Sequence, residues 1–313
     1  MSNKVTNQHF VPQMYLRRFA PDGKRFSVWN VKADTILSRQ QPRNYAAQRY
    51  FYDTQNTAIE NIIAEMRSIH PDEVDNALSL DDGQLVEKML SRSEADASQI
   101  LDDICQNSDL LYDKEHLQKL LIFIHDLAYR SKKYRDTMDR VQQQVIEACA
   151  QMGIPKDKID GANITAKEYQ LYQLLGVKPL LETAHNLTEC YNWYFASVSG
   201  DLKLIISDNP LQGVIEHFND ICIPLSGNNA IILRIVDPNS PTISKDMPQN
   251  NIISLTERSV LAYNLFQLSY ADRFIFGDKQ SLMKMQQVCN RKGGYKSLFG
   301  GEINIARVFE DNQ

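Results

Sequence analysis

The hydrophobic periodicity of this chain changes near Cys190, and that change limits the folds open to it. Before Cys190, apolar residues recur mainly at three- and four-residue steps, which is the period of an α-helix. After it, short runs rich in β-branched and aromatic residues alternate with turn residues, which is typical of antiparallel strands. The sequence therefore predicts an α+β protein.

We expect one domain, 1–313, with three subregions. The first, 1–54, is an arm with a short helix over 12–20 and a β-hairpin with strands at 26–31 and 35–38. The second, 55–189, is a helical bundle with predicted helices at 56–70, 72–91, 94–107, 117–149 with a kink near Ser131, and 165–187. The third, 190–313, is an antiparallel sheet with flanking helices. Its predicted strands cover 191–198, 202–206, 221–225, 230–236 and 273–276, and its predicted helices cover 256–270, with Thr256 as the cap, and 279–290.

Composition excludes several classes of protein. With 43% hydrophobic and 23% charged residues the 313-residue chain is of ordinary globular type, and no apolar run reaches the roughly 18 residues of a membrane span. Five cysteines without a Cys-x-x-Cys pair, and a polar start unlike a secretory signal, fit a reducing cytoplasm. The chain also lacks a glycine-rich phosphate loop, which argues against nucleotide triphosphatases and dinucleotide-dependent oxidoreductases.

The charge is distributed unevenly along the chain. Residues 1–49 hold nine basic and two acidic side chains, a net of +7, whereas residues 50–130 hold six and seventeen, a net of −11. The basic arm could bind a nucleic acid or another phosphate-bearing ligand, or it could lie against the acidic helices of its own chain. Opposite charges within one chain attract each other in any case, which favours the second arrangement.

Several short segments together resemble a known family. They are QHFVPQMYLRRF at 8–19, YFY at 50–52, AYR at 128–130, ISDNP at 206–210, IPLS at 223–226, YN at 263–264 and RFIF at 273–276. Their order and spacing are similar to those of the bacterial family known as domain of unknown function 4238. The resemblance implies one architectural unit and points to His9, Arg130 and Asp208, but it assigns them no roles.

His9 and Asp208 are candidate catalytic residues. His9 lies just before the first helix, where its ring could carry a proton or could hydrogen-bond the chain entering the helix. Asp208 follows a predicted strand and begins the turn at Asn209, a position suited to holding a divalent metal such as Mg²⁺ or Mn²⁺. The structural alternative is an Asx-turn, in which the carboxylate closes the turn onto its own backbone.

Arg130 and Glu65 complete the predicted catalytic set. Arg130 could steady phosphate charge together with nearby basic residues, or it could pair with Asp126 four residues earlier on one helix face. Glu65 and Glu60 fall on opposite flanks of one helix, so neither forms a paired-carboxylate site with the other. Glu65 could join a site built from other elements, or it could remain on a solvated flank.

Two functions are compatible with these residues. The first is a metal-assisted nuclease or other phosphodiesterase, in which Asp208 and a glutamate hold the metal, His9 moves a proton and Arg130 stabilises phosphate charge. Tyr15, Arg17 and Asn209 would then contact the substrate, although the helical spacing of Tyr15 favours a position in the core. The alternative is a non-catalytic binding or regulatory module, in which His9 and Asp208 hold the N-terminal arm on the sheet and the basic arm or the acidic helices bind a partner.

Overall fold

The computed structural model describes residues 4–54, 59–69, 75, 84–159, 161–211, 220–236 and 252–299. Its helices are α1 (Gln13–Arg17), α2 (Glu60–Ile69), α3 (Leu85–Gln106), α4 (Lys114–Tyr129), α5 (Lys132–Gln151), α6 (Ala166–Leu175), α7 (Val177–Cys190), α8 (Glu257–Tyr270), α9 (Lys279–Arg291) and α10 (Tyr295–Phe299). Its strands are β1 (Asn7–His9), β2 (Phe26–Asn30), β3 (Thr35–Gln40), β4 (Ala47–Arg49), β5 (Tyr191–Val198), β6 (Ile206–Ser207), β7 (Ile221–Pro224), β8 (Asn229–Ile235), β9 (Ile253–Leu255) and β10 (Phe274–Gly277). The predicted α+β class is confirmed.

Within these ranges the strands form three sheets. β1 pairs with β4, a four-stranded sheet has the order β3-β2-β10-β6, and a second has the order β7-β8-β5-β9. All pairs are antiparallel except β5 with β9, which are parallel. The hairpin of the arm therefore is not separate, since β2 pairs with β10 from the far end of the chain. The predicted strand 202–206 contributes only β6, and it joins this sheet instead of the one that contains β5.

The helical region divides differently from the prediction. The predicted helix 117–149 is two helices, because Ser131 has an extended backbone and its hydroxyl accepts a hydrogen bond from the Tyr134 amide, which starts α5 afresh. The longest helix among the described residues is α3, which continues through the break predicted between 91 and 94. Residues 72–74 and 76–83, the first part of the predicted helix 72–91, lie outside the described residues.

The predicted helix 165–187 also divides, at Gly176. Gly176 has φ −69° and ψ 136°, so the helical path stops there and α7 begins at the next residue. A Cβ at this position would lie 2.5 Å from the carbonyl oxygen of Tyr172 and 3.0 Å from Cδ of Pro179. The close approach of the backbone leaves no room for a side chain, which is a physical reason for glycine at this junction.

The main hydrophobic cluster draws on all three predicted subregions. It includes Tyr15 and Phe19 of the arm, Phe123 of the helical region, and Phe195 and Ile231 of the sheet. The arm is thus part of the core and cannot be removed without exposing it. No helix in the described ranges combines the length and apolarity needed to cross a membrane.

We predict that Gly176→Ala lowers the free energy of unfolding by about 1–3 kcal/mol, because the new methyl group overlaps a backbone oxygen. Urea denaturation measures the change. Gly200→Ala is the matched control, since a Cβ there would meet its nearest neighbour only at 4.0 Å. Equal effects of the two substitutions would contradict the explanation.

Candidate functional site

Arg130 lies where the N-terminal arm meets two helices. It caps the C-terminus of α4, and only 1% of its surface is exposed. Its Nη2 donates one hydrogen bond to the carbonyl oxygen of His9 (2.6 Å) and one to Oε1 of Glu94 (2.8 Å). The guanidinium therefore joins β1, α3 and α4 through charge-assisted hydrogen bonds.

The residues around β1 strengthen this junction. Oε1 of Gln8 accepts a hydrogen bond from the Tyr52 amide (2.6 Å), and Nε2 of Gln8 donates to Oδ1 of Asp53 (2.5 Å). The hydroxyl of Tyr52 donates to the carbonyl oxygen of Arg130 (3.1 Å). The segment after β4 is thus fixed to both the arm and the end of α4.

Three carboxyl groups surround the guanidinium. We call Arg130, His9, Glu87, Glu94 and Asp126 the Arg130 cluster. Burial raises the pKa of Asp126 to about 6, opposed by a hydrogen bond from the Ser93 hydroxyl. Burial also raises the pKa of Glu87 to about 7, although the positive charge of Arg130 opposes this. The cluster therefore contains two carboxyl groups that change charge near neutral pH.

The ring of His9 is part of the same cluster. Burial lowers the pKa of His9 below 6.5, and the charges of Arg130 and Arg17 act in the same direction, while Glu94 opposes them. The imidazole is therefore mainly neutral at pH 7. Nε2 of His9 and both Nε and Nη1 of Arg130 are buried and have no hydrogen-bond partner among the described residues.

The sequence places Asp208 in the predicted catalytic set, but the structure uses its carboxylate elsewhere. The group accepts hydrogen bonds from the backbone amides of Asp272 (2.8 Å), Arg273 (2.9 Å) and Phe274 (3.0 Å), which fixes the turn between α8 and β10. This is a longer-range role than the expected Asx-turn. Burial raises the pKa of Asp208 to about 6, and the amides oppose this. No described contact joins Asp208 to His9 or Arg130.

These contacts do not fit the predicted metal ion. Both oxygens of Asp208 accept backbone hydrogen bonds, so a metal would have to replace them. In the described ranges, no group of three or more His, Cys, Asp or Glu side chains is arranged to hold a metal ion. We therefore assign no step to a divalent metal at this position.

The other predicted site residues lie apart from Arg130, with one exception. Tyr15 is fully buried, and its hydroxyl donates to the carbonyl oxygen of Pro224 (2.5 Å). Asn209 is buried and donates to the carbonyl oxygen of Tyr270 (3.1 Å). Glu65 is half-buried on α2, with no described contact between its carboxylate and the Arg130 cluster. Only Arg17, which is exposed, lies close enough to influence His9 electrostatically.

The ion-pair partner of Arg130 differs from the one that the sequence predicts. The spacing indicates Asp126, whereas the guanidinium donates its hydrogen bond to Glu94 on another helix. One signal for this was available. Glu87 and Glu94 are seven residues apart, which places both on one face of α3. Nothing in the local sequence indicates that this face meets the end of α4.

Comparison with known proteins gives the family. The model of the family described as "Protein of unknown function (DUF4238)" matches residues 7–281. The chain belongs to this family. The match covers the Arg130 cluster and the Asp208 turn of this DUF4238 chain. No curated protein and no solved structure shows a significant similarity to it.

We predict that Asp208→Asn lowers the free energy of unfolding by about 1–2 kcal/mol, because an amide cannot accept all three backbone hydrogen bonds, while removal of the buried charge offsets part of this loss. Asp272→Asn in the same turn is the matched control. Its side chain forms a surface ion pair with Lys32 (3.0 Å), worth less than about 1 kcal/mol. Chemical denaturation of the two variants measures the difference, and a loss confined to Asp272→Asn would exclude the assigned role.

We predict that Glu87→Gln stabilises the chain at alkaline pH. The pKa of Glu87 near 7 is above the usual 4.5, so the folded state pays an increasing penalty as pH rises between these values, and the full penalty above 7. After discounting for solvent screening, we expect a gain of about 1–2 kcal/mol near pH 8 that disappears near pH 4. Denaturation at both pH values measures it. A gain of the same size in Glu65→Gln, outside the cluster, would show that the effect has another origin.

Proposed function

We propose that this DUF4238 chain is a non-catalytic binding module that docks an apolar helix of a protein partner beside α5. The observation that carries the proposal is that none of the twenty residues of α5 is buried, whereas its N-cap, Ser131, which precedes the helix, is buried. An amphipathic helix ordinarily buries its apolar stripe against its own protein. Here much of that stripe is left at the surface.

An apolar groove runs along this helix. Val141 and Val145 of α5 are each 45% exposed, and they line the groove together with Ile164 (47%) and Tyr169 (40%). The groove has a volume of about 390 Å³, and its floor includes Ile146, Ala162 and Ala166. Apolar side chains that are exposed next to one another are a feature of interaction sites. An apolar helical segment is the partner that such a groove fits.

The basic residues of α5 favour a protein partner over a nucleic acid. Nζ of Lys133 donates to the carbonyl oxygen of Tyr270 (2.9 Å). Arg135 donates to Oε1 of Gln170 (2.7 Å) and to the carbonyl oxygen of Phe51 (3.1 Å). Both cations are thus engaged inside the molecule, so they contribute little to a phosphate-binding track.

The Arg130 cluster supports the same proposal. A buried guanidinium that joins β1 to α3 and α4 stabilises the position of the arm. The nuclease hypothesis has one observation in its favour: the Arg130 cluster holds both a neutral His9 and Glu87, whose pKa is near 7. Against it, the unpaired atoms of His9 and Arg130 are buried, and three carboxyl groups nearby would repel a phosphate.

We predict that a photo-crosslinking amino acid at position 145 captures a protein in cells that naturally express the chain. Val145 faces the groove, so a docked helix would lie within reach of the probe. Lys24, an exposed residue of the arm, is the matched control position. Denaturing gel electrophoresis and mass spectrometry show the size and identity of the product.

The result that would contradict the proposal has two parts. Equal crosslinking from positions 145 and 24 would remove the groove as a docking site. The second part is cleavage of RNA or DNA by the purified chain, with or without Mg²⁺ or Mn²⁺. Such cleavage would support the nuclease hypothesis if His9→Gln abolishes it and leaves the unfolding temperature unchanged.

A further inference from the structure

The identity of the protein partner that docks beside α5 can be inferred, and this inference rests on the proposed function. We infer that the partner is a second copy of this chain, which pairs antiparallel with the first through α5 about a two-fold axis. Such an interface is isologous, so the exposed surface must be complementary to itself. The spacing of the exposed apolar residues on α5 meets that requirement.

Four small or apolar residues of α5 and its end form an exposed seam. Val141, Val145, Ala148 and Met152 follow one another at steps of four, three and four residues, and all four are exposed. Met152 is 68% exposed. This is the a/d spacing of a coiled coil, and it keeps the four side chains on one line along the helix.

The seam is symmetric about its own centre. With the two-fold axis between Ile146 and Glu147, Val141 of one copy faces Met152 of the second, and Val145 faces Ala148. Each a position then faces a d position, which is the arrangement of antiparallel helix pairs. A larger residue meets a smaller one at the centre, so the helices can approach closely there.

The flanks of the seam are uncharged. The e and g positions beside it hold Thr137, Gln142, Gln144, Cys149 and Gln151. In paired helices these positions select the partner by charge. The side chains at these positions carry no charge, although the guanidinium of Arg140 donates to Oγ1 of Thr137 at one end of the seam. The central part of the seam therefore brings two identical copies together without like-charge repulsion, whereas a partner selected by opposite charge would find nothing to pair with there.

The patch extends beyond the helix itself. Ile154 (39% exposed) follows α5, and Ile164, Tyr169 and Tyr172 (47%, 40% and 37%) lie on the neighbouring loop and on α6. The seam alone covers eleven residue steps, about 17 Å of helix, which is short for a stable dimer. Ile164 and Tyr169, which line the groove together with Val141 and Val145, widen the contact towards the roughly 800 Å² per partner of a standard interface.

Sedimentation velocity over a range of concentrations tests the inference. We expect the wild-type chain to dimerise reversibly, and Val145→Glu to weaken dimerisation at least about tenfold, because it places two charges in the centre of the seam. Met283→Glu is the matched control. Met283 is 43% exposed on α9, so its substitution adds the same charge at similar exposure and should leave the dimer unchanged.

Two further measurements separate dimerisation from folding and fix the orientation. In dilute solution Val145→Glu should unfold at the wild-type temperature, because residue 145 is exposed in the single chain. With Cys149 and Cys190 replaced by serine, a short bifunctional maleimide should link two copies of Val141→Cys/Met152→Cys much more efficiently than copies of Val141→Cys alone. Parallel packing would instead link copies of Val141→Cys alone about as efficiently as copies of the double variant.

A wild-type chain that stays monomeric at every attainable concentration would overturn the inference, as would a dimer that survives Val145→Glu. The proposed function is judged separately by the product that crosslinks at position 145. A product of twice the chain mass supports both, whereas a product with a different protein supports docking and rejects the second copy. No product from that position rejects both.

Discussion

The fold depends on the buried positive charge of Arg130, which lies where β1, α3 and α4 meet. Arg130 cannot lose its proton in a protein interior, so its guanidinium must be paired wherever the chain buries it. The pairing comes from a backbone carbonyl of β1 and a carboxylate of α3, which ties the first strand to two helices. Removing the carboxylate of Glu94 would take away the direct ion pair of this buried charge. The position of the arm and the closure of the helical region are therefore coupled through one side chain.

A second buried charge acts in the same way at the other end of the chain. The carboxylate of Asp208 holds three successive backbone amides between α8 and β10. β10 in turn pairs with β2 of the arm and with β6, the strand that ends just before Asp208. Both residues look catalytic in the sequence because they are charged and follow regular elements. In the structure each one satisfies backbone groups that would otherwise be buried without partners.

The surface along α5 contrasts with these hydrogen-bonded interior groups. Lys133 and Arg135 near the N-terminus of the helix donate to carbonyl and amide oxygens of the same chain, while apolar residues further along are exposed to solvent. The exposed parts of Val141 and Val145 contribute nothing to apolar burial within the single chain. An interface would give these exposed side chains apolar surface to bury, which is the basis of the proposed binding role.

The sequence alone determined the α+β class, most helix and strand positions, and the cap of α8, because these depend on local spacing and local hydrogen bonds. Thr256, for example, accepts a hydrogen bond from the Ser259 amide as the local pattern indicates. It also singled out His9 and Arg130, which do meet. Only the tertiary structure decided that Arg130 pairs with Glu94 and not with Asp126, that the arm shares a sheet with β10, and that Asp208 lies apart from His9. These outcomes depend on how distant elements pack. The energy of such contacts depends on how deeply the side chains are buried, and residue spacing along the chain does not show this.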